Sequence, residues 1–286
     1  MPASRATVPP LKPARRSETR TGRPHVVPRP AAPAAGVSWS GLVWTLVRTD
    51  FKARYHGTAS GFIWALLKPA AMFAVLVTVF SLVFPTEPTY KLDLIVGLFL
   101  FDFFTDATKT GMTALSSKAF LLTKARLPRY LLVLTSMTNA LVTLAVFALA
   151  VIGYLVLAGR APSPAAVAAF CAHLLSFTGI VVGISLAASV LFLRYRDLNQ
   201  VWDMVTQAGF FVAPIIYPLG VIPERFHLWL YLWPPTPVME FARAALIDGA
   251  VPSPRAHLGL ALMAAAYLAA GSWVYRRYAP GAAEYL

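Results

Sequence analysis

Apolar residues in this chain come in long unbroken runs, not in alternation with polar ones. Six runs approach the roughly 20 residues that a helix needs to cross a bilayer. They cover 62–84, 92–112, 131–157, 166–193, 201–219 and 256–275. None keeps the period of two that a membrane β-strand shows, so the pattern predicts an all-α integral membrane protein with about six transmembrane helices. Ahead of the first run, Trp39, Leu42, Val43, Leu46 and Val47 recur at helical spacing before Arg48, Lys52 and Arg54. That is the pattern of an N-terminal helix lying in the membrane interface. The fifth run holds Pro214 and Pro218. Prolines there end regular helix inside the apolar zone, which is tolerable only where protein or a water-filled cavity satisfies the freed backbone. The following "GVIPERFHLWLYLWPPTPVMEFARAALIDG" is too short, too polar and too rich in proline for a clean pair of crossings. It reads as short re-entrant helices between the fifth and sixth spans.

Composition agrees, with 58% hydrophobic and 13% charged residues, far from the balance of a soluble domain. The 25 Lys and Arg outnumber 12 Asp and Glu, a surplus that in a soluble protein would suggest nucleic acid. Position removes that reading. Residues 1–36 form a basic, proline-rich segment with few large apolar side chains, expected to be a disordered cytoplasmic arm attracted to anionic lipid. Residues 37–286 then make up the membrane domain. Its basic residues sort to one side: Arg48, Lys52 and Arg54 before the first span, Lys118, Lys124, Arg126 and Arg129 between the second and third, Arg194 and Arg196 after the fourth, Arg276 and Arg277 after the last. By the positive-inside rule both termini are expected in the cytoplasm. The second span carries Asp102, Asp106 and Lys109. Intramembrane charges need partners or water, so Asp106 and Lys109, at i and i+3, are expected to pair toward the bundle interior. Lys68 is expected to snorkel to the cytosolic face, and Asp197 to pair with Arg194 and Arg196.

Candidate chemistry is sparse. One cysteine and five scattered histidines offer no metal-ligand spacing. No phosphate loop of the form GxxxxGK[ST] occurs; the nearest approach, Gly36 to Gly41, is followed by Leu42 and Val43. Energy for any transport is therefore expected from elsewhere. The basic, amphipathic "SSKAFLLTKARLPRY" and the interfacial helix offer intracellular surface to a partner. A membrane enzyme acting on lipid phosphates would show clustered Asp, His or Arg at one interface, whereas Asp50, Asp197 and Asp203 lie far apart in sequence. A passive scaffold would have little use for the broken fifth span.

"RYHGTASGFIWALLKPAAMFAVLVTVFSLVF", "KARLPRYLLVL" and "RYRDLNQVWDMVTQAGFFVAPIIYPLGVIP", in that order and spacing, resemble the membrane subunits of type-2 ABC exporters. More narrowly they are similar to permeases that export lipid-linked polysaccharides such as O-antigen, capsular or teichoic-acid polymers. The resemblance covers nearly everything after about Ser38. It implies an ABC-2 type transmembrane domain in a bacterial inner membrane, working as a homodimer with two copies of a separate ATPase subunit. That subunit would bind ATP and magnesium, leaving this chain without a cofactor or catalytic residue. The polymer is expected on a polyprenyl pyrophosphate drawn from the cytosolic leaflet. Carried onto these residues, the resemblance makes Lys118, Lys124, Arg126 and Arg129 the coupling contact with the ATPase. Arg48, Lys52 and Arg54 would meet phosphate where substrate enters. Phe210, Phe211, Pro214, Tyr217 and Pro218, with Trp229, Tyr231 and Trp233, would form an exit gate. An ABC-2 exporter of another lipid or small hydrophobic substrate stays open as the alternative, and behind it a polytopic membrane enzyme acting on lipid phosphates.

Overall fold

The computed structural model describes residues 39–55, 61, 63–83, 89–124 and 128–281; the basic arm, the expected domain boundary near residue 37 and Arg126 lie outside them. Among the described residues all regular structure is helical. The interfacial helix is α1, Trp39–Tyr55, followed by α2, Ile63–Phe80. At the centre stands α3, Tyr90–Ser117, which packs on α2 and, beyond its neighbour α4, on five later helices. These are α5 (Arg129–Ser136), α6 (Thr138–Leu157), α7 (Pro164–Arg194), α8 (Leu198–Val212) and α10 (Pro235–Leu246). Leu94, Leu100, Phe104, Ala107, Met112 and Leu115 bury the flanks of α3 completely or almost so. Short α4 (Ala119–Lys124) and α9 (His227–Leu232) and a final α11 (Pro254–Tyr278) complete the set.

Two helix starts are set by the same local signal. Ser163 and Ser253 each precede a proline, and their hydroxyls accept from the backbone N–H of Ala166 (3.1 Å) and Ala256 (3.3 Å). A serine N-cap with proline at the first helical position suits the orphan N–H groups and fixed φ of a helix start, so α7 and α11 begin two residues before the apolar runs do. Further along, the two helices cross at Gly183 and Gly271. A Cβ on Gly271 would stand 2.0 Å from the Gly183 carbonyl oxygen, and one on Gly183 2.3 Å from that of Tyr267. The backbones touch, the small-residue packing that membrane helices use in place of a hydrophobic driving force.

Four described stretches are long and apolar enough to cross a membrane: α2, α5 with α6, α7 and α11. The expected six therefore depends on α3, which has the length but carries charges, and on α8, which stops after 15 residues at the proline break. The third run is also divided, at Met137, where one continuous helix was expected. The Ser136 hydroxyl donates back to the Leu132 carbonyl (2.8 Å) and the Thr135 hydroxyl to the same oxygen (3.3 Å), a competition with the helix ladder that bends it. Lys118 from the end of α3 donates to Ser136 Oγ at 2.7 Å and holds the bend. Lys118 also binds Asp50 of α1, and Arg129 donates to the Ala279 carbonyl beyond α11. These contacts gather α1, the end of α3, the start of α5 and the end of α11 at one basic end of the bundle.

Candidate functional site

Asp102, Asp106 and Lys109 stand at i, i+4 and i+7 on α3 and so share one face. They do not pair with one another as expected. Asp106 accepts from Arg54 of α1 at 2.7 Å, Asp102 faces Lys68 of α2 at 3.9 Å, and Lys109 donates to both carboxylate oxygens of Asp203 on α8 at 2.6 and 2.8 Å. An i,i+3 pair would fasten α3 only to itself. Instead each charge on the stripe ties α3 to a different neighbour. Two of these pairs border a cavity of about 300 Å3 between α1, α2, α3 and α6, walled by Tyr55, Trp64 and Phe99. Its cations are reachable: the side chain of Lys68 is 84% exposed and that of Arg54 34%. Burial works against the charge of Arg54, yet the hydrogen bond and charge of Asp106, with help from Asp102, hold its pKa above the usual value. Arg48 and Lys52 lie exposed on another face of α1, without an ion pair among the described residues. Of the three cations assigned to the entrance, the structure brings in only Arg54 and adds Lys68.

At the basic end the four expected coupling residues separate. Lys118 is turned inward, its side chain 11% exposed and its ammonium committed to Asp50 and Ser136. Arg129 is engaged by the end of α11. Lys118 offers no free charge to a partner, whereas Arg129 is bonded to a neutral carbonyl and keeps its charge. Lys124 ends α4, and Arg126 falls outside the described residues. The apolar surface here is a groove between α1 and α5 lined by Val43, Trp44, Val47, Pro128, Tyr130 and Leu131. The expected pairing of Asp197 with Arg194 or Arg196 is absent; those guanidinium groups lie over the rings of Tyr195 and Phe192.

The opposite end is built around the proline break. Helix α8 stops at Val212, and the carbonyls it frees find donors in the protein. Tyr217 caps the Val212 carbonyl at 2.8 Å and that of Phe211 at 3.1 Å, while the Tyr90 hydroxyl donates to Ile216 at 2.9 Å. The main brace is Arg243 of α10, buried to 8% side-chain exposure. Its Nη1 donates to the Pro214 carbonyl (2.7 Å) and to Glu240 (2.9 Å), and Nε and Nη2 both donate to the Asp93 carbonyl at the start of α3 (3.0 and 2.7 Å). Gly97 leaves the room: a Cβ there would lie 2.7 Å from Nη2. The sequence reading gave Arg243 no role. The available signal was an arginine three residues after a glutamate within an apolar helix, a pair that suits burial.

The aromatic residues assigned to the exit divide by burial. Phe210 packs edge-on against Phe101 (5.4 Å), and Trp233 against Phe104 (5.6 Å) while lying over Gly209, where a Cβ would come within 2.2 Å of its ring. Pro214 is buried, and Tyr217, Pro218 and Tyr231 are half-buried. Only Phe211 and Trp229 are well exposed, at 65% and 69%. So the set is mostly packing that seats α9 and α10 on α3 and α8, with two rings left to face outward.

Residues 41–247 match the ABC-2 type transporter family. The chain is 27% identical over 250 residues to an O-antigen export system permease protein of Myxococcus xanthus, covering 83% of this chain and 92% of that one. A permease protein of the same description from Klebsiella pneumoniae is 26% identical over 68% of this chain and 75% of its own length. The polysialic acid transport protein KpsM of Escherichia coli is 23% identical over 72% and 81%. The family match spans most of the chain, from the interfacial helix to the end of α10, and the chain belongs to the ABC-2 type transporter family.

Proposed function

We propose that this chain is the permease subunit of an ABC exporter that moves a lipid-linked polysaccharide out across a bacterial inner membrane. A separate subunit supplies the energy by hydrolysing ATP, and a second copy of the chain completes the path. The relatives' descriptions support the polymer class. The observation that carries the reading is the charged stripe of α3. Side chains of Asp102 and Asp106 each keep 29% exposure and Lys109 42%, in a helix of membrane-spanning length. Exposed ionisable groups at that depth cannot face hydrocarbon; they face water or another protein surface. A path between two copies provides both.

With the basic end in the cytosol, Arg54 and Lys68 stand beside the middle of α3, where the phosphates of a polyprenyl-pyrophosphate lipid would pass once drawn in from the inner leaflet. Guanidinium and ammonium groups give charge-assisted hydrogen bonds to such oxygens. Arg48 and Lys52, on the outward face of α1, hold that helix to anionic headgroups. The groove between α1 and α5 takes the ATPase, together with the basic sequence that holds Lys124 and Arg126. Phe211 and Trp229 face the polymer as it leaves, since aromatic faces slide along sugar rings without demanding one sequence. Deleting the gene tests the function: surface polysaccharide should vanish while its lipid-linked precursor accumulates in the inner membrane, and plasmid-borne wild type should reverse both. Normal surface polysaccharide beside a missing surface lipid would instead make the chain an exporter of another anionic lipid.

A further inference from the structure

We infer that His173 of α7 and His257 of α11 form a binding site for a late first-row transition-metal ion, zinc foremost, which fastens the start of α11 to α7 at the end of the bundle opposite the basic one. The site does not depend on what the chain exports. The two helices run side by side in the same direction, with Gly179 beside Ala264 and Gly183 beside Tyr267. Carried back toward their starts, this register sets the His173 and His257 rings against each other, with centroids 4.8 Å apart and planes inclined at 48°. His257 is half-buried in the first turn of α11, whereas His173 is only 1% exposed. Phe241 of α10 stands against the His173 ring, centroids 5.5 Å apart. Spacing along the chain could not show the pair, because the two histidines come from helices far apart in sequence.

Both ring nitrogens of His173 are buried and lack a hydrogen-bond partner among the described residues. Buried polar groups normally have one, so this ring keeps a lone pair for a partner of another kind. The His257 Nδ1 donates to the Ser253 carbonyl oxygen at 3.0 Å. A carbonyl only accepts, so the proton sits on Nδ1 and the lone pair of Nε2 is left for a ligand. A backbone carbonyl on the other nitrogen is also the usual outer partner of a metal-bound histidine, since it fixes tautomer and ring orientation. Geometry then selects the ion. With metal–nitrogen bonds of about 2.0–2.1 Å and centroids about 1.1 Å beyond the nitrogens, two imidazoles on a tetrahedral ion stand roughly 5 Å apart, near the observed spacing. A linear two-coordinate ion would hold them more than about 6 Å apart by the same bond lengths. Two neutral imidazoles suit zinc and its neighbours and not calcium or magnesium, which take oxygen ligands. No third His, Cys, Asp or Glu groups with them among the described residues, so water entering beside the half-buried His257 completes the four positions. With two protein ligands instead of four, the ion exchanges readily.

The test uses the full chain in detergent, purified without a polyhistidine tag, stripped with chelator and carrying Cys171→Ser so that the exposed thiol does not itself take zinc. Zinc is titrated at neutral pH in competition with a fluorescent chelator, and melting is followed with and without the ion. This chain should bind one zinc ion and melt higher in its presence, as a ligand of the folded state requires. Magnesium should do neither. His257→Gln, and His173→Phe, which refills the buried volume, should each weaken zinc by about tenfold or more and remove the rise in melting temperature. His227→Gln should change neither quantity, since that ring is engaged by the Ile222 carbonyl at 2.8 Å. The inference is overturned if the Cys171→Ser chain binds no zinc, if magnesium matches zinc, or if binding and the melting shift survive His257→Gln. A folded His173→Phe chain that still binds zinc overturns it too. Where His173→Phe does not insert, His257→Gln decides alone.

Discussion

Arg243 carries the largest single-residue consequence. A cation buried near the membrane is costly unless its donors are used, and this one spends them on Pro214, Asp93 and Glu240, joining the broken end of α8 to α3 and α10. Arg243→Leu would leave two carbonyls and a carboxylate buried without their donor, a loss of about 3–5 kcal/mol by the behaviour of broken buried pairs. Lysine keeps the charge but not the planar fork that reaches several acceptors at once. Thermal melting of the purified chain in detergent should therefore rank wild type above Arg243→Lys, and that above Arg243→Leu. A leucine variant that melts with wild type would show that the break holds itself. Gly97→Ala should also melt below wild type, because the added methyl would stand 2.7 Å from Nη2, which its bond to the Asp93 carbonyl holds in place. The need for a brace was legible in the sequence, since two prolines in an apolar run must leave carbonyls unpaired. Its identity was not, because the donor comes from a helix nearly 30 residues away.

Among elements, the pattern of apolar runs located the long helices well and their contacts poorly. Ser163-Pro164 and Ser253-Pro254 carry their own helix starts, so α7 and α11 could have been bounded from sequence alone. The bend at Met137 could not, because Lys118 reaches it from the end of α3. The stripe on α3 shows the same division: spacing places Asp102, Asp106 and Lys109 on one face, but only packing supplies Arg54, Lys68 and Asp203. Lys109 and Asp203 make the pair best suited to a test, since no third charge is bonded to either. Lys109→Asp sets two acids against each other and should lower both export and melting temperature. Exchanging the two residues should restore most of the loss, on the order of 1 kcal/mol for a half-exposed pair. If the exchanged variant is no better than the single one, the contact is incidental. The α7–α11 crossing should respond more sharply. Gly183→Leu has backbone in its way, at 2.3 Å, and is expected to abolish stable insertion as followed by membrane yield, whereas Gly179→Ala, which meets a flexible Leu268 side chain at 3.3 Å and Ala264 Cβ at an ordinary 3.7 Å, should be near neutral.

Across the whole molecule, α3 is the one helix that touches every region assigned to export. Its end holds α1 through Lys118 and Asp50, its middle carries the charged stripe, and its start meets the proline break through Asp93 and Tyr90. At 28 residues it is a rod about 42 Å long, stiff enough to carry a displacement from the basic end to the other. If an ATPase pushes on α1 and the α4 region, Lys118 is where that push enters α3. Two sets of substitutions should then separate. Lys124→Glu with Arg126→Glu reverses two charges of the basic segment between the second and third spans and should reduce co-purification of the ATPase, with export falling in proportion. Lys118→Met removes an inward bond and no surface charge, so the ATPase should still co-purify and hydrolyse ATP while export drops several-fold. The comparison needs three measurements on the same membranes: ATPase recovered, ATP turned over and polysaccharide delivered. Should Lys118→Met lose the ATPase as fully as the double charge reversal does, its bond to Asp50 serves to shape the docking surface, and the push reaches α3 by another route. Retained assembly with retained export would show that α3 moves without Lys118, leaving the α1 contact through Arg54 and Asp106 as the remaining connection to test.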